Sequence, residues 1–567
     1  LRAKTSRTKT SVLLLAAAAV IGGGAGLVAH QSMAQNAAVS TRVLKVATRR
    51  MTESQYRHAI RDILGPQIII NARFEPEKRE EGLLALGAQD MLVSTSGLEQ
   101  YFALAQSVAE QALDEKNRDK VVNCKSIDAT KMDQACATAF VEKYGELLFR
   151  RPLTGAEKAA RLATISTGVS ATGDFYQGLK LGLASMLVAP EFLFRIEVAE
   201  PDPAARGKHR LDAFTKAQRL SYLFWDTSPD AELLAAAKSG ALHTKDGLQT
   251  QIARLSTSPK LADGARAFFT DMLQLDQYDG LTKDPATYPK FSQAVADAGK
   301  EQTLRTVVDM LVTKNRDYRD IFSSNDTFIN RDLAAIYDVP YPSKAAWAPY
   351  TFPKETGRAG ILTQVSFLSL FSHPGASSPT KRGVKLLEIF MCEPTPEPPP
   401  DVDFSKVQAL EKGTVRVRLL DHMENEGCAS CHERSDPPGL ALEHFDSAGQ
   451  LRTMENGTLI DVSAELDGQK FNGAQGLAQL LHDDSRIPAC LVRNVFAYGI
   501  GRAPDETEYA YLAAQEAVFA KAGYKLPALM AQISSTDQFF RVKMPEGVTG
   551  PAKVASARTS SFQGAVR

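Results

Sequence analysis

The sequence predicts a mainly α, multi-domain helical protein with one short β-hairpin near residues 450–464. Three observations predict it. Apolar residues recur at helical spacing behind side-chain capping signals. Period-two alternation is scarce. Stretches rich in Pro or mixed charge divide the chain into segments of ordinary domain size.

From the N-terminus, Arg2, Lys4, Arg7 and Lys9 form a basic region, followed by an apolar run from Val12 to Ala29 and then Ser32-Met33-Ala34. This reads as an export signal spanning residues 1–34, cleaved after Ala34. A retained anchor is the rival reading, because the run approaches the length of a membrane span. Gly22, Gly23, Gly24 and Gly26 weaken it as a helix. Either reading sends the remaining chain out of the cytoplasm, to the periplasm or the medium.

Thr52 with Gln55 forms a capping box ahead of Tyr56, Ile60, Ile63 and Leu64, and Thr154 with Glu157 forms a second just after Arg150-Arg151-Pro152. These open an N-terminal helical region over 35–200. Glu200 to Lys208 reads as a linker. A central helical domain over 201–345 follows, with amphipathic helices at Phe214–Trp225, Asp230–Lys238, Leu248–Leu255 and Lys300–Val312. Pro340 to Pro353 marks the next change of composition. Pro394, Pro396, Pro398, Pro399 and Pro400 make 393–401 a stiff, extended spacer inside a module over 346–465. In that module, Asn456-Gly457 sets the hairpin turn within Gln450–Ala464. A C-terminal helical domain over 466–546 and a disordered tail over 547–567 complete the reading.

Composition excludes several classes. Lys plus Arg and Asp plus Glu each number 66, so no basic footprint for nucleic acid is present. A mean hydropathy of −0.20 excludes a polytopic membrane protein. Six Cys in 567 residues are too few for a disulfide scaffold. No G-x-S-x-G, H-E-x-x-H or P-loop occurs. Tyr498-Gly499-Ile500-Gly501-Arg502 lacks a third Gly and reads as a helix C-cap.

The chemistry concentrates at Cys428-Ala429-Ser430-Cys431-His432, a C-x-x-C-H attachment motif for c-type haem. Two thiols about one helical turn apart can add to the two vinyl groups of one porphyrin, and His432 then supplies the proximal iron ligand. Motif and export signal agree independently. A surface disulfide, a redox C-x-x-C and half of a zinc site are the competing readings. The redox reading lacks a thioredoxin-like βαβ context, and the zinc reading lacks a second ligand pair. The fold class therefore includes a small c-type-cytochrome-like haem module.

Cys124, Cys136, Cys392 and Cys490 remain, an even number that suggests two disulfides in an exported chain. Three pairings are open; Cys124 with Cys136 is the local choice, which leaves Cys392 with Cys490. The second iron ligand is unassigned. His373, His422, Met423, His444, Met454 and His482 are candidates, and an open iron is the alternative. Arg382, Arg452 and Arg502 are candidate cations for the haem propionates, with ordinary ion pairs as the other reading.

Taken together, several segments resemble one family. They are Met51–Gly65, Phe149–Thr154, Ala189–Arg195, Arg219–Trp225 with Pro229-Asp230, Phe328–Arg331 and Arg358–Thr363. Ser377–Gly383, the haem motif with Asp436–Gly439, Leu442–Asp446, Glu455–Gly457 and Ala497–Arg502 continue the series. The chain resembles the large secreted multi-domain cytochrome-like proteins of planctomycetes and proteobacteria, strings of consecutive domains of unknown function with one C-x-x-C-H. The resemblance covers about residues 49 to 540. It implies covalent haem at Cys428 and Cys431, His432 as axial ligand, and an exported redox partner. His444 stands where the family more often has Asn, which weakens it as a ligand. The expected function is electron transfer by an exported monohaem c-type cytochrome. A haem enzyme with an open iron, of oxidase or peroxidase type, and a non-redox binding or assembly protein are the rivals.

Overall fold

The structure is a computed structural model, which describes residues 44–341, 343–395, 413–423 and 426–543, the side chains of 421–423, 426–427 and 430 excepted. The expected export signal, most of the Pro-rich spacer and the expected C-terminal tail lie outside the described residues. The protein is mainly α with small antiparallel β elements, as the sequence predicts.

Strand β1 (Leu44–Arg50) leads into α1 (Glu53–Leu64), which opens on Thr52 and Gln55 as a reciprocal capping box. Helices α2 (Thr95–Ala112), α3 (Gln134–Phe149), α4 (Gly155–Thr172) and α5 (Phe175–Leu187) follow. The second capping box, Thr154 with Glu157, starts α4. These helices bury Tyr56, Phe140, Phe175 and Leu183 in one apolar cluster. Arg150 ends α3 in the left-handed conformation. It is buried and donates to the carbonyls of Glu191, Phe192 and Phe194, stapling α3 to the chain that enters β2.

Strands β2 (Phe194–Pro201) and β3 (His209–Leu211) complete a three-stranded antiparallel sheet in the order β1-β2-β3. The sequence pattern does not predict this sheet. On β2 the buried positions are Arg195, Glu197 and Ala199, while Phe194, Ile196 and Val198 are only half-buried. Charge on the inner face inverts the polarity signal by which a half-buried strand is recognised. The Glu200–Lys208 segment, expected as a linker, ends β2 and turns back into β3, with Glu200 paired to Arg210.

A second, larger cluster runs from Leu83 to Phe540. It draws on α6 (Ala213–Trp225), α7 (Leu261–Met272), α8 (Gln293–Val308), α9 (Pro379–Met391) and, further on, α12 (Arg486–Ile500). Strands β4 (Asp326–Ile329) and β5 (Ala348–Thr351) pair antiparallel beside α8. Between α9 and α12 lie α10 (Val415–Met423) and α11 (Glu426–Leu440). Two short hairpins follow, β6 (Met454–Glu455) with β7 (Thr458–Leu459), and β8 (Ser463–Leu466) with β9 (Gln469–Asn472). The first turns at Asn456-Gly457, both at positive φ, as the dipeptide predicts.

At the junction of the two clusters, Asp226 ends α6 in the left-handed conformation and accepts hydrogen bonds from Ser54 and from His58 Nδ1 (3.0 Å) on α1. Cys124 is bonded to Cys136, and Cys392 to Cys490, with Cα separations of 5.7 and 5.4 Å. The second bond ties the end of α9 to α12. No helix among the described residues is long and apolar enough to cross a membrane.

Candidate haem-attachment site

The site is built on α9 and α11. Ser378 caps α9 and Pro379 occupies its first turn. The two helices pack at backbone contact. A Cβ on Gly383 would stand 1.6 Å from the Ser435 carbonyl oxygen, and one on Gly439 would stand 1.8 Å from that of Pro379. No side chain fits at either place, so these glycines set how close α11 lies to α9.

On α11 the positions of Cys428, Cys431 and His432 are i, i+3 and i+4, so all three lie on one face of the helix. Both thiols are half-buried and not bonded to each other. One turn further on, Asp436 is buried and accepts from His432 Nδ1 at 2.9 Å. Thr380, in the first turn of α9, donates its hydroxyl to the other Asp436 oxygen at 2.7 Å. The carboxylate is therefore fixed between two helices, and it fixes the imidazole in turn. Its hydrogen bond raises the His432 pKa above the usual range, although burial opposes this.

The middle of α11 is anchored by ion pairs. Arg434 pairs with Glu393 and Asp467, and Arg486, at the start of α12, pairs with Glu393, Asp467 and Asp484. Glu393 directly follows Cys392, so this network and the Cys392–Cys490 bond restrain the same corner.

The three candidate propionate cations are engaged internally. Arg382 is fully buried, pairs with Glu443 at 3.1 Å and donates to the carbonyls of Leu442, Phe445 and Asp446. Arg452 also pairs with Glu443, and Arg502 holds Glu508 at 2.7 Å. Buried arginines adopt such bonds because an unsatisfied guanidinium inside a protein is costly.

The candidate second ligands whose side chains are described lie on different elements. His373 lies beside Lys381 (3.3 Å). His482 is engaged by Asp483 at 2.9 Å and lies 3.7 Å from Asp320. Met454 is half-exposed on β6 and His444 is half-buried in the loop after α11. The side chains of His422 and Met423 lie outside the described residues. Among the described residues, no group of three or more His, Cys, Asp or Glu converges as a metal cage would.

The donor set fits covalent haem: two thiols free of disulfide and an imidazole share one helix face, and a buried carboxylate orients the imidazole through its other nitrogen. Asp436 escaped the reading of the motif itself, yet its i+4 spacing from His432 was legible on any helix.

Five family profiles, each described as a protein of unknown function, match the chain in unbroken order. They are DUF1587 over residues 49–114, DUF1595 over 136–197, DUF1592 over 211–339, DUF1588 over 358–455 and DUF1585 over 467–539. The protein thus belongs to a class of mainly α, multi-domain chains. Its particular make-up is these five consecutive domains of unknown function, and the C-x-x-C-H motif falls within the DUF1588 match. No curated protein and no solved structure matches the chain.

Proposed function

We propose that the protein is an exported monohaem c-type cytochrome that transfers single electrons, with haem held through thioethers to Cys428 and Cys431 and with His432 as proximal ligand. The observation that carries this reading is the single α11 face presenting both free thiols and an imidazole held by buried Asp436. The haem would supply one-electron redox chemistry. The chain's own part is to hold the imidazole in one tautomer, Nδ1–H on Asp436 and Nε2 toward the iron. The Gly383 and Gly439 contacts and the Arg434 network keep α11 from shifting as charge changes. The two disulfides support residence in an oxidising compartment, the periplasm or the medium, where an exported redox partner would meet it.

One observation favours a second reading, a haem enzyme with an open iron. A carboxylate on the proximal imidazole makes it a stronger donor, which suits oxidised iron. The test is the absorption spectrum of protein exported from a host that matures c-type haem, with a pyridine spectrum after denaturation. Two thioethers and a low-spin spectrum are expected. A high-spin spectrum that changes with a small ligand selects the enzyme, and intact protein without covalent haem refutes both.

A further inference from the structure

The three-stranded sheet, α6 and the end of α12 line an open cavity of about 200 Å³. For scale, engineered apolar cavities of about 150 Å³ hold benzene. Its lining carries five cations, Arg49, Arg219, Arg502, Arg541 and Lys543, and one carboxylate, Glu197. Arg49 and Arg219 both converge on Glu197. Arg502 is taken up by Glu508, with Asp505 behind it at 3.9 Å. Arg195, two residues before Glu197, adds a further buried guanidinium stacked on Tyr222 at 4.2 Å. Arg541 donates to the Thr507 hydroxyl, and neither Arg541 nor Lys543 has an ion-pair partner at salt-bridge distance among the described residues.

Positive charge is therefore in excess around a space that a small molecule can enter. Excess buried charge is costly unless a counter-charge is supplied. The inner cations are already engaged, Arg49 by Glu197 and the Ile500 carbonyl and Arg219 by Glu197 and the Phe539 carbonyl, whereas Arg541 and Lys543 are exposed and meet no carboxylate among the described residues. The remaining wall is apolar, formed by Val46, Leu211 and Ile500. Gly501 makes room for this arrangement, since a Cβ there would lie 2.0 Å from the Arg49 guanidinium.

We propose that this cavity binds a small organic carboxylate, its head toward Arg541 and Lys543 at the mouth and its short apolar body against Val46, Leu211 and Ile500. Guanidinium forks match a planar carboxylate, and the apolar wall has no use for an inorganic anion. The site draws on no residue of the haem motif, so it stands or falls apart from the cytochrome reading.

The test is calorimetric titration of the full exported chain with acetate, butyrate, succinate and benzoate at millimolar concentration, with inorganic phosphate and chloride as comparators. One-to-one binding of at least one organic acid is expected. Ala47→Phe, which fills the cavity, and Lys543→Glu, which reverses an exposed charge at its mouth, should each weaken that binding at least tenfold. Lys543→Glu keeps the test sound if Ala47→Phe does not fold. No binding of any of the four acids overturns the proposal, as does binding that Lys543→Glu leaves unchanged. Equal affinity for phosphate or chloride overturns the ligand class.

Discussion

Asp436 and Glu197 are single carboxylates on which two sites depend. Asp436 holds His432 from one side while Thr380 holds Asp436 from the other. On the cytochrome reading, replacing it by Asn would remove the negative charge from the ligating imidazole, weaken it as a donor and favour reduced iron. In the haem-loaded protein, Asp436→Asn should raise the midpoint potential by on the order of 60 mV, one decade for a one-electron couple. Spectroelectrochemistry measures this, and an unchanged potential would separate Asp436 from the iron. Glu197 lies among Arg49, Arg195 and Arg219. Burial pushes its pKa up, but Arg219 and Arg49 more than offset this and hold it at about 2. Its folded pKa is below its unfolded one, so its stabilisation is complete above the unfolded value and is lost as pH falls toward 2. Glu197→Gln should cost about 3–5 kcal/mol at pH 7 by leaving buried guanidinium unpaired. In urea titrations the gap from the natural protein should close as pH is lowered from about 4.5 toward 2.

At the scale of elements, the helix pair α9–α11 depends on two missing side chains. Gly383→Ala or Gly439→Ala must push the helices apart, because each new Cβ meets a backbone carbonyl and not a movable side chain. Each should cost about 1–3 kcal/mol or more, read as a lowered urea midpoint, and should reduce haem attachment in the same host. The capping boxes are a milder case. Thr154→Ala frees the Glu157 amide that its hydroxyl accepts and should cost about 1 kcal/mol, with Thr154→Ser restoring most of it. Both boxes were legible in the sequence, because a cap and its partner are only three residues apart. The sheet was not legible. β1 and β2 are separated by the whole N-terminal helical region, and β2 turns Arg195 and Glu197 inward, where local pattern expects apolar residues.

For the whole molecule, the six cysteines divide into two disulfides and two free thiols. Unreduced, denatured protein should therefore titrate two thiols without haem and none once both thioethers have formed. Cys392–Cys490 spans 98 residues and Cys124–Cys136 spans 12. Replacing Cys392 and Cys490 by Ser should destabilise the chain by about 2–5 kcal/mol, and more than removing the shorter loop does, because closing a longer loop costs the unfolded chain more entropy. Comparison of thermal midpoints of the two double variants checks the order.

By itself the sequence determined what neighbouring residues decide: helical class from spacing and caps, the Asn456-Gly457 turn, and the one-turn separation of Cys428, Cys431 and His432. Tertiary structure alone decided which cysteines pair, among the three pairings that the sequence left open. It alone placed Thr380 behind Asp436, committed Arg382 and Arg452 to Glu443, and gathered Arg49, Glu197, Arg219 and Arg502 around one cavity. The physical reason is common to these. A buried charge is acceptable only where a partner reaches it, and here, apart from Arg452 with Glu443 and Arg502 with Glu508, the partners come from segments tens to hundreds of residues away, beyond any local periodicity.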